Sequence, residues 1–234
     1  MARNRNQYGM EALFVSPTGG GSEVQLHRVQ NVNRGFTINR KDVNQFSQLG
    51  ALDRVIADPP TVDLSFEYLA TNALNENRMG FVTNNTASAI SGFLNTGADS
   101  QKNYYLLKAP EGIDAVGANT TTGESSVLYV EGIGNGFISN YRAFGNVGDF
   151  ARAEVTVEAL NWRAYNSGGG NCPSVDPTNG SDVAANTFAL PDVVSGLAGQ
   201  ITAIAQGDIT VTISGTLGLL ISDLKVQSYE MAIP

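Results

Sequence analysis

The chain has 234 residues, of which 42% are apolar and only 15% charged, against roughly 25% charged in an average soluble domain. Its 22 acids and 14 bases leave a formal charge of -8, which excludes tight nucleic-acid binding driven by counterion release, because that mode needs Lys and Arg against phosphate. A single cysteine, Cys172, excludes an internal disulfide, and with His27 as the sole histidine it leaves too few soft ligands for a zinc site.

The length suits one large β domain, here placed at 23–234 behind an N-terminal arm. The polar start, Met1-Ala-Arg-Asn-Arg, lacks the apolar core of a signal peptide, and no apolar run nears the roughly 18 residues of a membrane span. The expectation is therefore a chain made and assembled in a cytoplasm, with no membrane insertion. Residues 1–22 end in Ser16-Pro-Thr-Gly-Gly-Gly-Ser22 and read as a flexible arm with too little apolar surface to fold alone.

Strand signals begin at Val24 to Val32 and Arg34 to Arg40, and a turn-rich link, Gln48 to Asp58, leads to Pro59-Pro60. Thr61 to Tyr68 alternates most clearly. Val62, Leu64, Phe66 and Tyr68 fall on one face, for a core, while Asp63, Ser65 and Glu67 fall on the other. Thr86 to Leu94 is the helix expected in the first half, with Thr86 as N-cap and Ile90, Phe93 and Leu94 at helical spacing.

Further strands are expected at Asn103 to Lys108, Ser126 to Glu131, Phe137 to Phe144, Ala151 to Ala164 and Asp208 to Ser214. Within the Ala151 to Ala164 segment, Val155 and Val157 are core-facing while Glu154, Thr156 and Glu158 share the opposite face. Asn166 to Asn186 reads as a surface excursion, part of a loop insertion reaching about residue 206, and Val193 to Ile204 carries a broken helical periodicity. Ala153 to Leu160 echoes Val62 to Leu69, and Val29-Gln-Asn echoes Val226-Gln-Ser.

Catalytic patterns are missing. His27 lies between Leu26 and Arg28 in a strand-like run, with no Gly-x-Ser-x-Gly elbow anywhere. Gly132-Ile-Gly134-Asn-Gly136 lacks the Lys-Ser/Thr and the following helix of a phosphate loop, so it reads as a tight hairpin turn. The acids Asp63, Glu67, Glu154 and Glu158 have only Trp162 as a sugar-stacking tryptophan, which argues against a glycosidase pair. No catalytic residue, metal site or cofactor is expected. What remains is a set of strands with one apolar and one acidic face. Such a face can be ordinary solvated sheet, or the wall of a conduit that repels a polyanion instead of holding it.

Several segments resemble the major tail tube proteins of tailed bacteriophages: Val29-Gln-Asn-Val, Phe36-Thr-Ile-Asn-Arg40, Val43-Asn-Gln-Phe-Ser-Gln-Leu-Gly50, Asp53-Arg54, Pro59 through Tyr68 and Asn75-Glu-Asn-Arg-Met-Gly-Phe81. Later ones are Ile138-Ser-Asn-Tyr, Val147-Gly-Asp149, Ala153 through Glu158, Pro173-Ser-Val-Asp-Pro177 and Ala203 through Ile209. The likeness covers most of the chain, and its Val-Gln-Ser motif is cut short at Pro234. It implies a mainly β, antiparallel sandwich that joins a barrel, with a short flanking helix and extended arms and loops. It also implies sixfold rings stacked into a virion tail tube that passes viral DNA transiently, with other tail proteins at its ends. Asp63, Ser65, Glu67, Glu154, Thr156 and Glu158 would then line the lumen. Arg40, Gln45, Phe46, Leu49, Arg54, Pro59 and Pro60 would contact neighbouring subunits or rings, with the 1–22, Gln45 to Pro60 and 166–186 segments as couplers. The alternative of another class is a capsid decoration or head-to-tail joining protein, equally acidic and non-catalytic.

Overall fold

The computed structural model describes residues 8–17, 24–47, 50, 53–58, 60–70, 73–81, 101–110, 128–167, 175 and 227–233. Its strands are β1 (Tyr8–Pro17), β2 (Val24–Gln25), β3 (Val29–Thr37), β4 (Arg40–Val43), β5 (Asp53–Ile56), β6 (Thr61–Leu69), β7 (Lys102–Pro110), β8 (Leu128–Asn146), β9 (Arg152–Ala159), β10 (Asn161–Ser167) and β11 (Ser228–Ile233), with one helix, α1 (Leu74–Met79). Every strand pairing among the described residues is antiparallel. The expected mainly β, antiparallel architecture with a short helix is what the described residues form.

Strand β8 explains the shape. Its first part pairs with β7 and β10, and its second part with β9 and β11, so one long strand belongs to two layers. The first layer runs β2-β1-β7-β8-β10 and the second β11-β8-β9-β6-β3. The layers face each other across a common core that joins Leu13, Val15, Tyr104, Leu106 and Ile133 of the first to Val62, Leu64, Phe66, Tyr68, Val155 and Val157 of the second. Phe66 and Tyr104 meet across it with ring centroids 6.0 Å apart. At about 1.5–3 kcal/mol for each large apolar side chain removed from water, this alternation is the main force setting the register of β6 and β9, since a one-residue slip would turn every apolar side chain outward.

The glycine run 132–136 is not the expected turn. It lies inside β8, and the strands expected at Ser126 to Glu131 and Phe137 to Phe144 are one. A Cβ on Gly134 would stand 2.5 Å from the Val175 carbonyl oxygen, and one on Gly136 would stand 2.7 Å from Val157 Cγ1. These glycines admit close packing where the strand passes from layer to layer. Asn135 between them has φ 56°, and the β7 register shifts between Lys102 and Tyr104, the local irregularity that bends a strand.

Three other boundaries differ from expectation. The N-terminal segment is not an arm throughout: residues 8–17 form β1, with Ala12 through Ser16 buried between β2 and β7, because the run Ala12-Leu-Phe-Val15 supplies apolar surface to both faces of the first layer. The segment Val24 to Val32 breaks at Arg28, whose φ of 59° turns the chain. Ala151 to Ala164 is two strands, β9 and β10, separated at Leu160. The segments at Thr86 to Leu94, Asp208 to Ser214 and Val193 to Ile204 lie outside the described residues.

Helix α1 went unread in the sequence, although it carries a stop signal. Gly80 has φ 102°, its N–H donates to Asn77 O at 3.1 Å, and Phe81 N–H donates to Glu76 O at 2.9 Å, which is a Schellman ending that favours glycine. The helix is tied to the sheet by Asn75, whose Oδ1 accepts from His27 N–H and whose Nδ2 donates to His27 O, both at 2.8 Å. A buried side-chain amide thus does what a neighbouring strand would do for an edge residue. Glu76 Oε1 accepts hydrogen bonds from Tyr68 (2.8 Å) and Tyr141 (3.1 Å). Burial, then the Glu76 charge, pushes both phenols up from their ordinary value, so they remain protonated donors.

Candidate functional site

The two layers differ in what they expose. In the first, Phe14, Tyr105, Leu107 and Val130 on one face and Leu13, Val15, Tyr104 and Leu106 on the other are all buried. In the second, one face is core and the other is open. Along β6 the burial alternates without interruption from Val62 to Tyr68, and along β9 from Ala153 to Ala159.

The echo noted between these strands is a spatial neighbourhood. They pair antiparallel, with Asp63 directly opposite Glu158, Ser65 opposite Thr156 and Glu67 opposite Glu154. All six therefore share the open face. Beside them β3 contributes Asn31, Asn33 and Gly35, in register with Glu67, Ser65 and Asp63, and the Asp63 carboxylate lies over Gly35. Directly opposed like charges cost roughly 0.2–1 kcal/mol per pair, so two such pairs on one face are not what folding alone favours.

The face also carries two arginines that sequence reading missed. Arg152 Nη1 reaches Glu67 Oε1 at 2.7 Å and its Nη2 reaches Asp149 Oδ2 at 3.3 Å. Arg142 grips Glu230 with Nε at 2.9 Å and Nη2 at 3.1 Å, and its Nη1 lies 3.5 Å from Glu154. The hydrogen-bonded fork of Arg142 holds the Glu230 carboxyl below its ordinary value. Two charge ladders thus occupy one end of the face. At the other end, Asp63 and Glu158 have no cation within ion-pair distance among the described residues. Arg152 opens β9 just after the turn at 147–149, and Arg142 lies inside β8 opposite Glu154, whereas the expectation placed only acids, Ser65 and Thr156 on this face.

A separate feature stands at the end of the second layer where β3 passes into β6. Strands β4 and β5 form a two-stranded sheet apart from the main one, with Arg54 Nε 2.9 Å from Asp42 Oδ1. Its apolar residues are open: Val43, Val55 and Ile56 are about half exposed and Phe46 is 100% exposed. Arg40, Gln45 and Arg54 are exposed too, and Pro60 is half-buried at the root, while Leu49 and Pro59 lie outside the described residues. Phe36 and Trp162, with ring centroids 6.0 Å apart, form a second open apolar spot. His27 is half-buried against α1, and burial followed by Arg78 and Arg28 lowers its pKa, so it is a neutral packing residue.

Among the described residues no three His, Cys, Asp or Glu side chains gather to hold a metal ion, and no helix is long and apolar enough to cross a membrane. No family model matches the chain, and no curated protein does. Among solved structures it is similar to a chain in the sheath-tube complex of an extracellular contractile injection system (PVC, extended state), with 9% identity, 70% of this chain and 93% of that one covered, and a TM-score of 0.42. It is similar to a chain in the tail of an empty GTA particle, with 12% identity, 66% and 92% covered, and a TM-score of 0.41. The cap of the anti-feeding prophage, its tube terminating cap, gives 13% identity, 71% and 100% covered, and a TM-score of 0.41. These similar structures come from tube and tail assemblies.

Proposed function

We propose that the chain is a structural, non-catalytic subunit of a tail tube in a virion or virion-like particle. Copies join through the edges of the second layer into a closed ring, six to a ring as the sequence resemblance implies, and rings stack with the acidic face inward. The observation that carries this reading is the open face itself: four carboxylates paired in register on the one layer that is core on one side and wet on the other. An inner wall of carboxylates repels DNA phosphates over about 8 Å at physiological salt, so DNA passes without being held, whereas a basic wall would gain affinity at each phosphate and brake it. Strand β3 ends its layer, and its outer edge has no strand partner among the described residues, a ready template for another copy.

Asp63→Lys with Glu158→Lys tests the wall where no arginine already offsets it. Both side chains are exposed, so folding is expected to change by less than about 1 kcal/mol. Tubes still form, and DNA ejection from particles carrying the variant slows at least tenfold. Ejection at the parental rate through intact tubes would remove the conduit role from this face.

A further inference from the structure

Between β2 of the first layer and β3 of the second, the chain crosses the sandwich in three residues, Leu26, His27 and Arg28. A different element holds each of them. Leu26 N–H donates to Leu13 O of β1 at 2.8 Å, and Arg28 O accepts from Leu69 N–H of β6 at 3.1 Å. His27, between them, is held by helix α1, since both of its backbone groups go to the buried Asn75 side chain. Three residues along the helix, Arg78 donates to Gln25 O, where the crossing begins.

The same helix also grips the second layer. Glu76 takes the phenols of Tyr68 on β6 and Tyr141 on β8. Met79 and, just past the helix end, Phe81 join the core, and the Phe81 and Tyr141 ring centroids are 4.8 Å apart. At six residues α1 is too short to stand alone in water, so it keeps its form only while both grips hold. Around the crossing the charges are alike. The guanidiniums of Arg78 on the helix and Arg28 on the crossing act on the His27 ring, and burial, then Arg78, then Arg28 keep the imidazole below its ordinary 6.5. Glu76, the one acid of α1, is engaged by the two phenols.

We propose that this junction is an acid-sensitive clasp: a proton taken up by His27 drives α1 off the crossing and loosens that end of the sandwich, while β6 and β9 stay paired. A third positive charge would then stand beside two, in a half-buried place. Histidine is the side chain whose ordinary charge change falls between about pH 5 and 8. Neutral in the closed clasp and titrating at its ordinary value once free, His27 binds more protons in the open form. The closed form therefore weakens as the pH falls below 6.5 and stops weakening beneath its own lower value. The inference is independent of any ring, tube or DNA.

Because His27 is the sole histidine, the imidazole proton signals in the NMR spectrum of the full chain report one titration, whose midpoint is expected below 6.5. Amide hydrogen exchange read by mass spectrometry, from about pH 7.5 to about pH 5.5, gives the opening. Beyond the intrinsic change in exchange rate, α1 and the crossing are expected to lose protection about tenfold for each unit by which that midpoint lies below 6.5, while β6 and β9 keep theirs. His27→Gln leaves the backbone bonds to Asn75 in place and takes up no proton, so its α1 protection is expected to stay level. A midpoint at or above 6.5 overturns the clasp. So does level α1 protection in the parental chain, or an equal loss in His27→Gln. Should that variant fail to fold, the two measurements on the parental chain decide alone.

Discussion

Glu131→Ala is expected to destabilise the fold by about 3–5 kcal/mol. Glu131 lies on β8 with its side chain only 6% exposed. Its Oε1 stands 2.8 Å from Lys108 Nζ on β7, whose side chain is 8% exposed, and its Oε2 pairs with Arg34 Nε on β3. Glu11 on β1 lies 3.7 Å from Lys108, and the lysine ammonium is 5.7 Å from the centroid of the Tyr129 ring. The cluster ties the first layer to the edge strand of the second. Removing the central carboxylate leaves a buried ammonium and a half-buried guanidinium short of their counter-ion, and that uncompensated charge, more than the lost attraction, sets the cost. Urea unfolding of Glu131→Ala reads it directly. A loss below about 1 kcal/mol would mean that water reaches the cluster and that the layers are held by apolar packing alone.

Phe46→Ser combined with Val55→Ser is expected to do the opposite, leaving the fold unchanged within about 0.5 kcal/mol while raising the concentration needed for assembly at least tenfold, equivalent to about 1.4 kcal/mol. A two-stranded hairpin alone in water is marginal at best. Here it holds together through four paired positions and one exposed ion pair, a contact worth at most about 1 kcal/mol. Phe46 contributes nothing to its own subunit's core, since it is fully exposed, so what it loses as serine is lost only between copies. Light scattering against concentration, beside a thermal melt, separates the two effects. Unchanged assembly with an unchanged melt would make the hairpin a bystander.

The second layer was the most legible part of the sequence. From Val62 to Tyr68 and from Ala153 to Ala159 a strict period of two met two environments, core and water, and side-chain burial follows it residue by residue. In the first layer β7 and the start of β8 were expected as strands, but β1 was read as an arm, because both faces of the layer are buried and Ala12-Leu-Phe-Val15 shows no alternation at all. Gly134 and Gly136 looked like punctuation because glycine serves turns and close approach equally well, and only Val175 and Val157 reveal which applies. Arg34, Lys108 and Glu131 carried no sign of burial, since each is a residue type that usually stays in water and their pairing joins positions far apart in the chain. The open face was half legible. Its acids followed from periodicity, whereas Arg142 and Arg152 reach it from strands whose pairing the sequence did not disclose.

That the chain builds a hollow tube is tested most directly by negative-stain electron microscopy of the purified protein at increasing concentration. The account predicts long tubes of uniform bore, made of stacked rings of one subunit type. Single particles of monomer size at every concentration, with no tube in particles that contain the protein, would contradict it.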